Sequence, residues 1–511
     1  MNHFQTAVFH AARDPNRIAI SDSTKLLSRL DFVHHVLRVA ASLQAMGIGR
    51  GDRVCAVMHN SIDFVALYYA TAVTGFILVP VNTRYDHGDF CHVFEDSDPK
   101  LVLYAPEFED RISGYRQGAD EGTQWVGLTD TLFDAMPDFD TQTARVGAVD
   151  DDEVSLILYT SGTTSRPKGA MLTHRNLAAN AMNYQVELGI TENSSSILAT
   201  PLFHIGGFGV LNGPVLFAGG TLHVVGRYDP ETLLDALKAT EPSHLFLLST
   251  MWVGLTDRPE FADLRFNDVN YVQTAASPLS EWRQDRIRKV FPNAEFGWGY
   301  GMTESCVTSI KNRTTQEIQD HPGSIGYVWR HVAARLVDAA GQVLPGTNQV
   351  GELQVRGPTV FAGYWNNPQA TEDVFTPDGW LKTGDLLEFD ADGFAYFRGR
   401  AKDMIKTGGE NVAAIEVEQC LTEHPQVSDA AIMGLPHEYW GEELVAVVVP
   451  VPGTQPGGDE LQQHCRARLS AFKVPKRIFI HETVPKSSSG KVQKFILKRK
   501  LMEQEARASD G

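Results

Sequence analysis

Residues 159–169 read Tyr159-Thr160-Ser161-Gly162-Thr163-Thr164-Ser165-Arg166-Pro167-Lys168-Gly169, directly after the apolar run Val154 to Leu158. A short apolar run before a turn-forming stretch reads as a buried strand. The loop that follows has the chemistry of a polyphosphate cradle. Glycine lets the backbone aim its N–H groups at an anion, the hydroxyls of Ser161, Thr163 and Thr164 donate further hydrogen bonds, and Lys168 adds a full positive charge. The ligand that suits this composition is a nucleoside triphosphate. The loop is not the P-loop of kinases and GTPases, whose lysine precedes Ser or Thr; here Lys168 precedes Gly169.

On both sides of the loop, helical and strand patterns alternate. Leu30 to Met46 carries apolar residues at helical spacing and stops at Gly47, while Arg53 to Met58 and Phe76 to Pro80 read as short buried strands. After the loop come helical Asn176 to Tyr184, strand-like Thr221 to Val225, helical Pro230 to Lys238 and strand-like His244 to Leu248. Such alternation predicts an α/β fold, with parallel sheets flanked by helices. Between residues 340 and 400 the texture changes to Gly/Asp turns between short strands, Gly351 to Arg356 and Phe394 to Arg398, which predicts a β-rich subdomain. The charged turn Gly399-Arg400-Ala401-Lys402-Asp403 then opens a final segment with its own helices and strands. The expectation is a large N-terminal domain, residues 1–401, and a small mobile α+β C-terminal domain, residues 402–511.

At 511 residues the chain is too long for one ordinary core. Its 45 Lys+Arg against 63 Asp+Glu give a net charge of −18, which argues against nucleic acid or an anionic membrane surface as partner. An anionic ligand must therefore find locally basic loops. Five cysteines without CxxC spacing suit reduced thiols in the cytoplasm better than a disulfide framework or a zinc site. The N-terminus lacks a basic start followed by an apolar block, so no signal peptide is expected. The most apolar stretch, Phe64 to Val81, is interrupted by Thr71, Thr74, Gly75 and Pro80, and reads as a buried helix and strand rather than a transmembrane segment.

Beyond the loop the chain carries Pro201-Leu202-Phe203-His204-Ile205-Gly206-Gly207, Tyr300-Gly301-Met302-Thr303-Glu304 and Thr383-Gly384-Asp385. Gly399-Arg400-Ala401-Lys402-Asp403-Met404-Ile405-Lys406 and Pro485-Lys486-Ser487-Ser488-Ser489-Gly490-Lys491 follow. In this order and spacing they resemble the signature motifs of the adenylate-forming enzymes, which include acyl- and aryl-CoA synthetases, peptide-synthetase adenylation domains and beetle luciferases. The chain is most similar to acyl-CoA synthetases, a likeness extended by Gly51-Asp52-Arg53-Val54 and Asn60-Ser61. The resemblance implies a ligase that uses ATP, Mg2+ and coenzyme A on a small-molecule carboxylic acid. The acid attacks the α-phosphate to give an acyl-adenylate and pyrophosphate, and a thiol then displaces AMP. Negative charge crowds the first transition state, so positioned cations and hydrogen-bond donors matter more than an acid/base pair.

By the resemblance, Thr160, Ser161, Gly162, Thr163, Thr164 and Lys168 form the loop for the β- and γ-phosphates. Thr303 bonds the α-phosphate, Glu304 helps bind Mg2+, and Lys491 bridges the substrate carboxylate and the α-phosphate. Tyr300 and Gly301, with Ala276 and Ser277, receive adenine; Asp385 and Arg400 receive the ribose. Lys402 matches the family's hinge, and Gly408 and Gly409 leave room for the pantetheine arm. Phe203, His204, Gly207, Trp298 and Gly299 fall at the acyl pocket, with His204 as an aromatic gate. Two departures stand out: Ser165 where the family's loop usually has Gly, and Ala413-Ala414 where many relatives have Tyr-Pro.

The positions assigned to the pocket, Phe203, Ile205, Gly206, Gly207, Phe208, Trp298 and Gly299, carry no charge. An apolar tail follows, with a medium-chain fatty acid first and an aryl acid of the benzoate or cinnamate type as the alternative. Delivery to a carrier-protein thiol instead of CoA is a further alternative. Peptide-synthetase adenylation is disfavoured, since Phe203 to Phe208 holds no aspartate for an amino acid's ammonium. A nucleotide-binding pseudoenzyme would be expected to lose Glu304, Asp385 or Lys491, and all three are present. Assembly as a homodimer is left open.

Overall fold

The apolar run before the phosphate loop forms the strand Val154–Thr160, whose five central residues are all buried. Burial on both faces is the mark of a strand inside a sheet covered on both sides. The computed structural model that gives this arrangement describes residues 2–116, 122–129, 133, 149–160, 166–275, 279–407, 410–486 and 492–509. The chain divides into two compact units: Met1–Ala275 with Asp285–Ala333 and Val355–Leu381, and Ala276–Gln284 with Ala334–Gln354 and Lys382–Gly511.

The first unit holds two large sheets. In one, the order is Gly363–Tyr364, Lys168–Thr173, Val154–Thr160, Ile77–Pro80, Arg53–Val57, Leu101–Tyr104 and Gln124–Gly127. The last five run parallel, while Lys168–Thr173 is antiparallel to both its neighbours. The other sheet has a parallel centre built from Thr221–Val224, Ser195–Leu198, His244–Leu248, Tyr271–Ala275 and Glu295–Tyr300. Antiparallel Ile310–Lys311 and Tyr327–Val328 close one edge of it. This is the α/β architecture that the alternating pattern predicts.

Local signals explain the element boundaries. Ser28 and Asp31 form a reciprocal capping box that starts the helix Arg29–Ala45. In the most apolar stretch, Ser61 caps the helix Ile62–Thr74, and Gly75 ends it in the left-handed conformation at φ 78° before the strand Ile77–Pro80. Among the described residues no helix is long and apolar enough to cross a membrane. Cys55, Cys91, Cys306, Cys420 and Cys465 are free thiols.

The second unit is mostly antiparallel, and its part between residues 340 and 400 holds the short antiparallel strands that the turn-rich sequence there predicts. One of its sheets follows the order Ala333–Val337, Gly351–Arg356, Leu381–Phe389 and Ala395–Arg400. The other pairs Glu410–Ala413, Met404–Thr407, Gly441–Pro450 and Val427–His437, with Arg477–Ile480 added in parallel to Gly441–Pro450. Val417, Leu421, Ile432, Leu444, Ala446, Val448 and Leu461 are fully buried in a core of this unit.

Candidate active site

Within the first unit, the strand Glu295–Tyr300 brings Trp298, Gly299 and Tyr300 to its C-terminal end, each half-buried. The C-terminal ends of parallel strands are where open α/β sheets bind ligands. Past the strand the chain turns sharply through Gly301 and Met302 into the 3-10 turn Thr303–Ser305. A side chain at Gly301 is impossible, because its Cβ would stand 1.5 Å from the Val307 carbonyl oxygen. The turn is held by Cys306 N donating to Thr303 O at 3.0 Å and Val307 N to Met302 O at 3.0 Å. Both residues take positive φ, 50° at Cys306 and 85° at Val307. For a β-branched residue such a conformation costs of the order of 1–3 kcal/mol. Packing sustains it: Cys306 is fully buried, and a Cβ at Gly209 would stand 2.5 Å from Val307 Cγ2.

That turn buries Glu304 to 7% exposure. Its Oε1 accepts a hydrogen bond from the Tyr364 hydroxyl at 2.7 Å, and its carbonyl accepts from Phe361 N at 2.9 Å. Tyr364 lies opposite Ala170 on the neighbouring strand, and the Lys168 ammonium stands 5.2 Å from the centroid of its ring. Burial first, and then the Glu304 charge and hydrogen bond, push the Tyr364 phenol well above its ordinary pKa. Tyr364 thus touches both a carboxylate and a lysine that sequence reading named separately. Sequence reading missed it, since 60 residues separate it from Glu304. A buried carboxylate beside a cation-bearing strand offers hard oxygen donors of the kind Mg2+ shares with phosphate.

Lys168 begins its strand opposite Thr160, whose hydroxyl reaches the Lys168 carbonyl at 3.4 Å. Ser161, Gly162, Thr163 and Thr164, with the departure Ser165, lie outside the described residues, as do Ala276 and Ser277.

His204 is half-buried and directly precedes the short helix Ile205–Gly209, with the Phe203 ring 4.8 Å away. Gly207 is required there, since a Cβ would meet the Pro201 carbonyl oxygen at 2.6 Å. Phe208 is buried, as Phe203 is. Its ring packs on Tyr68 at 4.7 Å and on Phe64 at 6.2 Å, and only 4% of it is exposed, so it belongs to the core.

Within the second unit, Asp385 and Arg400 are cross-strand partners in the register of Leu381–Phe389 and Ala395–Arg400. Arg400 Nε stands 3.2 Å from Asp385 Oδ1, in ion-pair reach, with the carboxylate side chain 7% exposed and the arginine 36%. Gly384 turns the backbone at φ 71°, and Thr383 Oγ1 accepts from Asp385 N at 3.2 Å while donating to Leu353 O at 2.8 Å. Such a carboxylate is fixed in position and suited to accept from a pair of hydroxyls. Lys402 is exposed in the 3-10 turn Ala401–Asp403. Gly408, Gly409 and Lys491 lie outside the described residues. An antiparallel bridge between Lys486 and Val492 brackets residues 487–491.

Comparison with known proteins gives these features a family. The AMP-binding enzyme family matches residues 8–365, and the AMP-binding enzyme C-terminal domain matches residues 416–491. The chain is 32% identical to a feruloyl-CoA synthase of Amycolatopsis sp over 97% of its own length and 98% of that protein's. It is 31% identical to ATP-bound MatB from Rhodopseudomonas palustris, with a TM-score of 0.87 over 98% of this chain and 99% of that one. The O-succinylbenzoate coenzyme A synthetase MenE from Bacillus subtilis, in complex with ATP and a magnesium ion, is 26% identical, with a TM-score of 0.84 over 96% and 99%. The fold and these likenesses define an ATP-dependent acid–thiol ligase of the AMP-forming type. The chain belongs to the AMP-binding enzyme family of CoA ligases, works through an acyl-adenylate, and uses ATP, Mg2+ and CoA.

Proposed function

We propose that this ligase activates a medium-chain acid with an apolar body, fatty rather than aryl, and divides the work among its residues as follows. Lys168, with Thr160 to Thr164, neutralises the transferring polyphosphate, and Thr303 donates to the α-phosphate. Glu304, steadied by Tyr364, holds Mg2+, which when bound draws charge from the phosphate oxygens. Tyr300, Gly301, Ala276 and Ser277 receive adenine, and Asp385 and Arg400 receive the ribose. Lys491 brings an ammonium to the substrate carboxylate and α-phosphate, where charge develops. Lys402 is the hinge about which residues 402–511 turn, within the compact unit that begins its last segment at Lys382, and Gly408 and Gly409 admit the pantetheine thiol.

The observation that carries this reading is the Glu304 turn: a buried carboxylate, tied to Tyr364 at 2.7 Å, directly after Tyr300 and Gly301. The body of the substrate is read from Phe203, Gly207, Trp298 and Gly299, positions that carry aromatic rings or no side chain and no charge. An aryl acid is the second reading, favoured by the likeness to a feruloyl-CoA synthase. The free cysteines suit a cytoplasmic enzyme. The test is pyrophosphate release from ATP across fatty, aryl and short-chain acids, with and without CoA. A medium-chain optimum with CoA-dependent turnover is expected; a benzoate or cinnamate optimum replaces the fatty reading, and release without acyl-CoA formation points to a carrier-protein acceptor.

A further inference from the structure

Lys311 lies on the strand Ile310–Lys311, whose register sets it opposite Gly299. It is fully buried. Its ammonium donates to Gln273 Oε1 and is surrounded by the rings of Tyr271, Tyr184 and Trp329, with centroids at 4.4, 4.9 and 5.2 Å. Among the described residues no carboxylate pairs with it. Burial pushes its pKa well below the ordinary lysine value. An ammonium has three donors, and one amide oxygen with three aromatic faces compensates only part of its desolvation. A methionine would fill the same cage without any electrostatic cost.

This cluster borders the position assigned to the acyl pocket. A Cβ on Gly299 would stand 2.9 Å from Gln273 Nε2 and 3.9 Å from both Lys311 Cδ and Thr308 Oγ1. Gln273 Nε2 donates to the Tyr184 hydroxyl at 3.4 Å, which lies 2.8 Å from Thr308 Oγ1. Beside Gly299 the sheet is therefore packed by a connected polar chain, Lys311, Gln273, Tyr184 and Thr308, set among aromatic rings.

We propose that Lys311, with Gln273, reads the far end of the acid, where the substrate carries a hydrogen-bond-accepting oxygen group such as a second carboxylate. This rests on the assignment of Trp298 and Gly299 to the acyl pocket and narrows the fatty-acid reading: the medium-chain apolar body ends in an oxygen group, so a plain methyl-ended fatty acid is the poorer substrate. The anion or oxygen supplies the acceptor that the caged ammonium lacks, and a methyl terminus leaves those donors unmet.

The test measures pyrophosphate release by the full-length protein with ATP and Mg2+ on acids of matched length that end in methyl, hydroxyl or carboxylate. An oxygen-ended acid is expected to exceed its methyl-ended counterpart about 100-fold or more in kcat/KM, the scale on which a site with buried donors rejects a partnerless analogue. Lys311→Met is expected to collapse that ratio to a few-fold. The ratio is taken within one preparation, so a loss of folded protein does not move it. The wild-type comparison decides the matter by itself if the variant does not fold. A methyl-ended optimum in the wild type, or a ratio that Lys311→Met leaves unchanged, overturns the proposal while the ligase reading stands. Absence of pyrophosphate release from every acid overturns both.

Discussion

The turn from Tyr300 to Val307 and the turn from Thr383 to Asp403 carry chemistry in opposite ways. In the first, backbone packing decides everything: Gly301 lies against the Val307 carbonyl, two residues hold positive φ, and Glu304 is 7% exposed beneath Tyr364. In the second, long side chains near the surface do the work. Arg400 is 36% exposed over Asp385, and Lys402 sits in a solvated turn. The difference teaches that substitutions in the first region act through geometry and stability, while those in the second act through charge and motion.

The sharpest break in that comparison comes from Lys491, the ammonium proposed to meet the substrate carboxylate and the α-phosphate. Lys491→Ala is expected to cut adenylate formation at least ~100-fold, the scale for losing one preorganised charge-stabilising donor. Thioester formation from supplied acyl-AMP should be spared, and equal losses in the two half-reactions would erase the distinction. Next in size is Gly301→Ala, whose Cβ has no space beside the Val307 carbonyl. A loss of about 3 kcal/mol or more is expected from forcing atoms into a packed turn, read as a fall in denaturation midpoint. An unchanged midpoint would mean that the turn yields.

Tyr364→Phe tests the buried carboxylate without removing it. Losing one hydrogen bond to a charged group, at about 1.5–3 kcal/mol, should reduce kcat/KM roughly tenfold or more and raise the Mg2+ concentration required. Activity indifferent to Mg2+ would detach Tyr364 from the metal. Arg400→Lys should be milder, raising KM for ATP a few-fold with little change in kcat, because a point charge replaces a planar fork. A kcat effect larger than the KM effect would move Arg400 from binding to chemistry.

The smallest effect is on stability against pH, and it belongs to the packed unit. Burial pushes His244 and His174 down from 6.5 to about 4. The unfolded chain therefore takes up protons that the folded chain refuses, so stability present above pH 6.5 is lost as pH falls toward 4. At pH 5.5 each site should cost about 1 kcal/mol relative to neutral pH. Melting curves at pH 7.5 and 5.5 check this, and His244→Gln should reduce the difference by its own share while His174 keeps the rest; a melting temperature independent of pH would place these imidazoles in water.

Much was legible along the chain because it depends on neighbours in sequence. The strand before the phosphate loop, the helix Ile62–Thr74 and the strand His244–Leu248 follow from apolar spacing and from stop signals such as Gly75. The Thr303-Glu304 turn and the Asp385–Arg400 pair were visible as motifs, since each lies within a few residues or within one hairpin. Side-chain direction was not. The packing of Phe208 on Tyr68, a residue far away in the chain, follows from no local pattern.

What the sequence determined by itself is the order of strands and helices and the motifs of a CoA ligase, because periodicity, capping and short-range spacing are local properties. Tertiary structure alone decided that Tyr364 bonds Glu304 and that Lys311 sits caged opposite Gly299. Those contacts join residues 60 apart in one case, and strands paired by sheet register in the other. No local pattern specifies them, since burial and desolvation arise only when distant segments exclude water together.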